Sequence, residues 1–304
     1  MMKEQKRRES ASGYHFYNLY QNCPRKWYIR YLMRLEGEFK APPLMLGSAV
    51  HEGKATFYQS GSIDKGIKAF LRDLKANQGS YEDIDDYDLA KRRGVDMLKK
   101  WYVAHGADDL SRYKVVAVEE ELIAKMPNGF ILTSRLDAVL QRNRSSEMFI
   151  METKTTGYSA IMADRFAQAS DQLTTELYAA WRARPKWPIV GVIPDIMYEN
   201  RHKVECIRGD IVARSQSELR EYEQGTMGVL SEIAQKASAW RSRRYPPESL
   251  FPRNTSWCLS YNHKCEYYDI CRTVLSEKGE PPFGFTRIPI DKEAGVALLK
   301  KVKI

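Results

Sequence analysis

The chain has 304 residues, of which 43% are hydrophobic and 29% are charged, and its formal net charge is +9. This balance excludes an intrinsically disordered chain, and no apolar run approaches the roughly 18–20 residues that a membrane-spanning helix needs. The basic, polar N-terminus lacks the apolar stretch of a secretory signal, so we predict a cytoplasmic protein without a membrane partner. The excess of positive charge favours a polyanionic partner such as nucleic acid.

The spacing of apolar residues predicts helices first and a sheet later in the chain. Four N-terminal helices are predicted at Tyr14–Arg34, Leu46–Gln59, Ile63–Asn77 and Asp86–His105. Strands are predicted at Tyr113–Met126, Phe130–Gln141, Met148–Thr153, Ile189–Tyr198 and Lys203–Val212. Two further helices are predicted at Asp164–Ala183 and Ser215–Arg241. This order predicts an α/β fold with a central mixed sheet flanked by helices.

The same reading divides the chain into consecutive regions. These are a flexible basic N-terminus (1–13), an N-terminal helical region (14–112), a sheet-containing core (113–214), a C-terminal helix with a cysteine-rich segment (215–280), and a tail without an assigned role (281–304).

Charged residues lie on two neighbouring predicted strands. Asp137 points away from the apolar face of its strand, and Glu152 and Lys154 share one face of the next strand. An unpaired buried charge costs several kcal/mol, so these groups either lie at an exposed strand end or bind a ligand. In the second case Asp137, Glu152 and the carbonyl of Thr153 offer oxygens to Mg²⁺ or Mn²⁺. Lys154 would then lie beside the attacking water.

An aspartate, a turn, and then apolar-apolar-x-Glu-x-Lys-Thr on adjacent strands resembles the core of the PD-(D/E)XK nuclease superfamily. The segment from Gly47 to His51 is similar to the Gly-x-x-x-His helix of its RecB-like branch, and Gln172 matches a glutamine that supports the active site. The resemblance implies a restriction-endonuclease-like fold and a Mg²⁺- or Mn²⁺-dependent deoxyribonuclease that acts as an exonuclease. It implies the catalytic residues Asp137, Glu152, Lys154 and Gln172 and the metal ligands His51, Asp137, Glu152 and Thr153.

Two positions depart from the family pattern. The family tends to have a tyrosine one turn after the glutamine, whereas Tyr178 lies six positions after Gln172 and on another helix face. Ser134 stands where the family usually has glycine, three residues before the aspartate. One glutamate of the run 119–121 could assist the metal, but such a run is more often a solvated face, and the sequence does not say which residue acts.

Four of the five cysteines form a three-plus-one pattern, and Cys206 is predicted to be a bystander. The four are Cys23, Cys258, Cys265 and Cys271. Without paired C-x-x-C motifs they do not match a zinc ribbon, yet sets of four thiolates hold either iron–sulfur clusters or zinc, and four unrelated buried cysteines are a further alternative. One cysteine in the first helix and three near the C-terminus resemble the iron–sulfur members of the RecB-like branch. That layout implies a 4Fe-4S cluster that joins the two ends of the chain.

Basic and aromatic residues of the first predicted helix are candidates for DNA binding. Lys26, Arg30 and Arg34 recur every four residues beside Trp27, a combination that suits single-stranded DNA, although the aromatics could equally be core. Tyr178 is a further candidate from the resemblance. CRISPR adaptation nucleases and phage or helicase-associated exonucleases share the layout, which implies DNA strands or ends as substrate and recombination, CRISPR or phage proteins as partners. The alternatives are an inactive DNA- or protein-binding module and a zinc-bound structural protein.

Overall fold

The computed structural model describes residues 12–38, 41–81, 83–157, 159–199, 203–259, 264–273 and 279–288. Its helices are α1 (Tyr14–Asn22), α2 (Pro24–Trp27), α3 (Pro42–Ser60), α4 (Ile63–Ala76), α5 (Ile84–Trp101), α6 (Ala107–Arg112), α7 (Ala160–Gln168), α8 (Asp171–Ala183), α9 (Gln216–Arg241) and α10 (Pro247–Leu250). Its strands are β1 (Leu35–Gly37), β2 (Tyr113–Lys125), β3 (Ile131–Arg142), β4 (Met148–Thr156), β5 (Ile189–Glu199), β6 (Val204–Arg208) and β7 (Phe285–Arg287). Most of the predicted flexible N-terminus and of the predicted tail lies outside the described residues.

The chain divides into two compact units, each made of segments that are distant in sequence. The terminal unit contains Met1–Glu38, Ile123–Ser134 and Arg220–Ile304, and the sheet unit contains Phe39–Leu122 and Arg135–Leu219. The chain passes from one unit to the other after Glu38, Leu122, Ser134 and Leu219. Across the described residues, no helix combines the length and apolarity that crossing a bilayer requires.

A five-stranded mixed sheet forms the centre of the fold, in the order β2-β3-β4-β5-β6. β3 and β4 are antiparallel, β4 and β5 are parallel, and β5 and β6 are antiparallel. In the sheet unit, side chains of α3, α4 and α5 form a continuous core with one face of β3, β4 and β5. The predicted α/β fold with a mixed sheet flanked by helices is therefore confirmed. β6 is shorter than predicted, and Val212 forms only an isolated bridge with Val192.

The first predicted helix is not continuous. α1 ends at Asn22, and Cys23 has extended backbone angles (φ −157°, ψ 101°) before α2 begins at Pro24. The cause is local, because a proline ring clashes with a helical conformation of the residue before it. Arg34 lies beyond the helical segment with a positive φ of 57°.

Of the predicted basic stripe, Lys26 and Arg30 lie on one helical stretch, residues 24–32, and Arg34 lies beyond it. Lys26 Nζ lies 3.1 Å from Glu266 Oε1, and Arg30 Nη2 lies 3.4 Å from Glu36 Oε1, so each is engaged in an ion pair. Arg34 does not continue the row, because its left-handed backbone turns the chain away from the helix.

Trp27 belongs to the core of the terminal unit. Its ring is fully buried and packs against Phe16 and Phe251, with centroid distances of 5.3 and 5.8 Å. In this conformation no face of the ring reaches solvent, which favours the core position over stacking on a base. Early and late segments of the chain meet in the same core: Tyr20 donates a hydrogen bond of 2.7 Å to Glu232, and β1 pairs with β7.

The helix predicted at Asp164–Ala183 is two helices. α7 ends at Gln168, and Ser170 is extended (φ −76°, ψ 120°) before α8 begins at Asp171. The carboxylate of Asp171 suits the first turn of α8, whereas the side chain of Ser170 makes no capping hydrogen bond. The break places Gln172 in the first turn of α8.

Candidate metal centre

α3 approaches β4 closely at a glycine. A Cβ atom on Gly47 would lie 2.7 Å from Thr155 Oγ1, closer than such atoms approach each other, so the glycine permits the contact. His51 lies one turn further along α3, on the same side of the helix. Its Nδ1 is 3.1 Å from Asp137 Oδ1.

Asp137 on β3 is held from two directions. Oδ1 faces His51, and Oδ2 accepts a hydrogen bond of 2.8 Å from the backbone N–H of Thr153 on β4. Burial alone would raise the pKa of Asp137, but the positive charge and hydrogen bond of His51, with the Thr153 N–H, lower it to about 2. Burial opposes protonation of His51, and the Asp137 carboxylate outweighs it and raises the pKa of the imidazole. The aspartate therefore stays ionised, with a fixed orientation.

Glu152, Lys154 and Gln172 form a second hydrogen-bonded group beside the first. Lys154 Nζ donates to Glu152 Oε1 at 2.6 Å and to Gln172 Oε1 at 2.7 Å, and Gln172 Nε2 donates to Glu152 Oε1 at 2.6 Å. Burial and the negative charge of Asp137 raise the pKa of Glu152. Burial would lower the pKa of Lys154, but the charge of Glu152 raises it. The buried carboxylate of Glu152 and the partly exposed ammonium of Lys154 therefore stabilise each other's charged form.

The structure distinguishes the three glutamates that the sequence left equivalent. Ligand atoms of His51, Glu119 and Asp137 lie within 4.8 Å of one another, and this is the one such group of three or more among the described residues. Glu120 instead bonds Arg184, and Glu121 is exposed. Glu119 has a positive φ of 52° within β2, an irregular backbone position for a strand residue.

Sequence reasoning missed one further member of the site. Glu176, one helical turn after Gln172, is buried, and its Oε1 accepts a hydrogen bond of 3.2 Å from Gln172 Nε2. The signal was its spacing, because Glu176 occupies the place where the family tends to have tyrosine. Tyr178, the tyrosine nearest to that place, is fully buried, so its ring is not exposed to DNA in this conformation.

The donor set fits a divalent cation. Asp137 and Glu119 could offer carboxylate oxygens and His51 a nitrogen to one ion, and Glu152 lies beside this group but is not part of it. The carbonyl of Thr153 lies between Glu152 and Lys154 in the chain. The carboxyl groups are close enough that the charge of Asp137 adds to the effect of burial in raising the pKa of Glu152. A bound cation would relieve that repulsion, so the residues present are suited to hold one.

Comparison with known proteins identifies the family. The model of the PD-(D/E)XK nuclease superfamily matches residues 14–272, a span that contains every side chain of the metal centre. The chain belongs to the PD-(D/E)XK nuclease superfamily. Membership implies, in general terms, a metal-dependent nuclease. No curated protein matches the chain.

Two solved structures show weak similarity to this PD-(D/E)XK chain. The crystal structure of SSO0001 is 14% identical with a TM-score of 0.27, over 60% of this chain and 74% of that one. The crystal structure of protein VC1899 from Vibrio cholerae is 14% identical with a TM-score of 0.22, over 57% of this chain and 52% of that one. TM-scores this low establish neither fold nor function.

The four candidate cluster cysteines lie in the terminal unit. Cys23 is buried at the break between α1 and α2, and its Sγ accepts a hydrogen bond of 3.5 Å from the backbone N–H of Asn254. Burial raises the pKa of the Cys265 and Cys271 thiols, and the charge of Cys23 adds to both shifts. Cys258 accepts a backbone hydrogen bond from Cys265 N at 2.8 Å. Within the described ranges no three cysteine sulfurs lie within 4.8 Å of one another, so a four-cysteine cluster is not shown.

Proposed function

We propose that the protein is a Mg²⁺- or Mn²⁺-dependent deoxyribonuclease that hydrolyses phosphodiester bonds as an exonuclease. The observation that carries the proposal is the partly buried contact of Lys154 with Glu152 and Gln172, next to the Asp137–His51 pair. Its proposed metal ligands are His51, Asp137, Glu152, the carbonyl of Thr153 and Glu119. The cation, when bound, would polarise the phosphoryl group and lower the pKa of a bound water.

The chain's own residues have separate tasks in this proposal. The Thr153 N–H fixes Asp137, and the Asp137 carboxylate orients the ring of His51. Lys154 presents its ammonium to the negative charge that develops on the phosphate, and Gln172 holds that ammonium in place. Such preorganised charge is the main requirement of phosphoryl transfer, because the protein contributes little covalent chemistry to that reaction.

DNA is the proposed substrate because the net charge is +9 and phosphate neutralisation dominates nucleic-acid affinity. Lys26, Arg30 and Arg34 stay proposed DNA contacts, the first two on condition that phosphate replaces their carboxylate partners. The Gly47–His51 arrangement supports assignment to the RecB-like branch. A role in DNA processing or recombination, with CRISPR or phage proteins as partners, follows by analogy, as does a cytoplasmic location.

A digestion assay tests the proposed function. Purified protein is incubated with end-labelled linear DNA and closed circular DNA, with Mn²⁺, Mg²⁺ or chelator. We expect metal-dependent loss of the linear substrate and survival of the circle, because an exonuclease needs an end. Cleavage of the circle would make the enzyme an endonuclease. DNA that stays intact while salt-dependent binding persists would favour the inactive binding module.

Glu119→Gly separates the role of the side chain from that of the backbone. The carboxylate is lost, so we expect Mn²⁺ binding, followed by calorimetry, to weaken about 10-fold or more. Thermal stability should be retained, because glycine accepts the positive φ that costs glutamate on the order of 1 kcal/mol. Glu121→Gly is the matched control: it is expected to leave Mn²⁺ binding unchanged and to lower stability by about 0.5–1 kcal/mol. Equal Mn²⁺ affinity in both variants would exclude Glu119 as a ligand.

We further propose that Cys23, Cys258, Cys265 and Cys271 hold a 4Fe-4S cluster that joins the two ends of the chain. Support comes from their common unit and from the electrostatic coupling of Cys23 with Cys265 and Cys271. Zinc remains the second candidate for the same thiolates.

Cys23→Ser is expected to abolish iron binding and to lower the unfolding temperature by roughly 5–10 °C, because metal-binding free energy contributes to folding. Metal analysis and visible absorption after anaerobic purification measure the first effect, and calorimetry measures the second. Cys206→Ser is the control, since Cys206 lies on β6 in the sheet unit. Stoichiometric zinc in place of iron would refute the iron–sulfur assignment, and absence of both metals from wild type would refute the cluster.

A further inference from the structure

Glu176 is a buried carboxyl group whose presence next to the metal centre needs an explanation. It is 2% exposed, and its Oε1 contacts Gln172 Nε2 at 3.2 Å. Its Oε2 is buried and has no hydrogen-bond partner among the residues that the structure describes. An unsatisfied buried oxygen lowers stability, so this side chain is not explained by packing alone.

The amide of Gln172 links Glu176 to Lys154. One hydrogen of Nε2 points to Glu152 Oε1 at 2.6 Å and the other to Glu176 Oε1, while the amide oxygen accepts from Lys154 at 2.7 Å. Nε2 faces two acceptors and the amide oxygen faces a donor, so only one orientation of the amide satisfies all three contacts. Glu176 therefore helps to decide that the oxygen of Gln172, and not its nitrogen, faces Lys154.

Glu152 Oε1 is shared by two donors, Lys154 and Gln172. A divalent cation on Glu152 would compete with both. Gln172 can give up its hydrogen bond to Glu152 because Glu176 offers Nε2 of the same amide another acceptor. Burial and the charge of Glu152 raise the pKa of Glu176, but a protonated carboxyl group still offers an acceptor oxygen.

We propose that Glu176 is a positioning residue: it holds the Gln172 amide so that Lys154 keeps its place when Glu152 binds the catalytic cation. The inference rests on the proposed nuclease function and adds a residue to it. Without Glu176, Gln172 would either keep its contact with Glu152 and compete with the cation, or give up that contact and no longer hold the ammonium of Lys154 in place.

Two substitutions separate the acceptor from the charge. Glu176→Met removes both, and we expect kcat for DNA digestion to fall by roughly 10- to 100-fold with little change in KM. Calorimetric Mn²⁺ affinity without DNA should weaken by about 10-fold. Glu176→Gln keeps an acceptor oxygen, so its kcat and its Mn²⁺ affinity should both lie close to those of wild type. If the methionine variant does not fold, Glu176→Ala, which leaves room for water, is measured in its place.

A double-mutant cycle tests whether Glu176 acts through Gln172. In the Gln172→Met background, Glu176→Met is expected to cause no further loss of Mn²⁺ affinity, whereas an independent structural role would add its full effect. Thr174→Val, a buried change on the same helix, controls for lost stability and should leave both quantities unchanged. Additive losses, or wild-type kcat and Mn²⁺ affinity in Glu176→Met, would overturn the inference while the proposed function stands. Wild type that neither binds Mn²⁺ nor digests DNA would overturn both.

Discussion

Lys154→Met is expected to reduce the rate of DNA digestion by about 10²–10⁴-fold while Mn²⁺ binding persists. The ammonium is lost from the place where negative charge develops, and removal of a group of this kind has effects of that size. Mn²⁺ affinity should equal or exceed that of wild type, because Lys154 no longer competes for Glu152 Oε1. Single-turnover digestion at saturating Mn²⁺ measures the first effect, and calorimetry measures the second.

Lys186→Met provides the matched control for this experiment. Lys186 is exposed in the turn between α8 and β5, so its loss removes one positive charge without touching the metal centre. We expect wild-type digestion from this variant. If Lys154→Met digests DNA as fast as the control, the lysine has no role in the reaction and the proposed mechanism fails. If its Mn²⁺ affinity collapses instead, Lys154 supports the metal site and not the transition state.

Lys54→Met is expected to lower the free energy of unfolding by about 3–5 kcal/mol, the cost of leaving a buried charge without its partner. Lys54 Nζ lies 2.6 Å from Asp195 Oδ2. Lys54 is 2% exposed and Asp195 is fully buried. Trp101 Nε1 donates to the same oxygen at 2.6 Å, and Arg208 Nη2 lies 3.7 Å from it. Both contacts remain in the Lys54→Met variant, but they do not replace the ion pair between Lys54 and Asp195. Urea denaturation of wild type and variant measures the difference.

The pH dependence of that difference follows from Asp195. Burial would raise the pKa of this carboxyl group, but Lys54 and Arg208 lower it below its ordinary value. A lowered pKa in the folded state gives stability that is present above the unfolded pKa, about 3.9, and is lost as pH falls through the folded value. The effect of Lys54→Met should therefore be complete at neutral pH and shrink in strong acid.

Two comparisons decide whether burial causes the effect of Lys54→Met. Lys100→Met breaks an exposed i,i+4 pair with Asp96, and we expect it to cost less than about 0.5 kcal/mol. The double variant Lys54→Met, Asp195→Leu replaces the buried pair with apolar groups and should recover much of the loss. A cost for Lys54→Met no larger than that for Lys100→Met would show that the buried pair does not stabilise the fold.

Local periodicity predicted most elements because it depends on neighbours along the chain. Alternating apolar residues placed β3 and β4 within one to three residues of their observed bounds, and helical spacing placed α3, α4 and much of α5. The break at Cys23 is also local, since Pro24 excludes a helical conformation before it. The helix predicted over Tyr14–Arg34 is therefore interrupted at Cys23, directly before Pro24.

Burial of aromatic and charged residues was not predictable in the same way. Trp27 lies among basic residues, a pattern that fits a DNA-binding face and a core position equally well. Phe251, which is more than two hundred positions away, decides the question by packing against its ring. Lys54 and Asp195 likewise give no sign in the sequence that they form a buried pair.

By itself, the sequence predicted the order of the elements from residue type and spacing. Through its resemblance to the PD-(D/E)XK core it also predicted the superfamily and the candidate residues His51, Asp137, Glu152, Lys154 and Gln172. Only the tertiary structure decided that Glu119 is the glutamate that faces this set and that Glu176 joins it. Adjacent glutamates are chemically equivalent along the chain, and the irregular backbone of β2 at Glu119 selects the one that turns toward the site. Glu176 joins the site through its contact with Gln172 one helical turn earlier, which depends on how α8 packs.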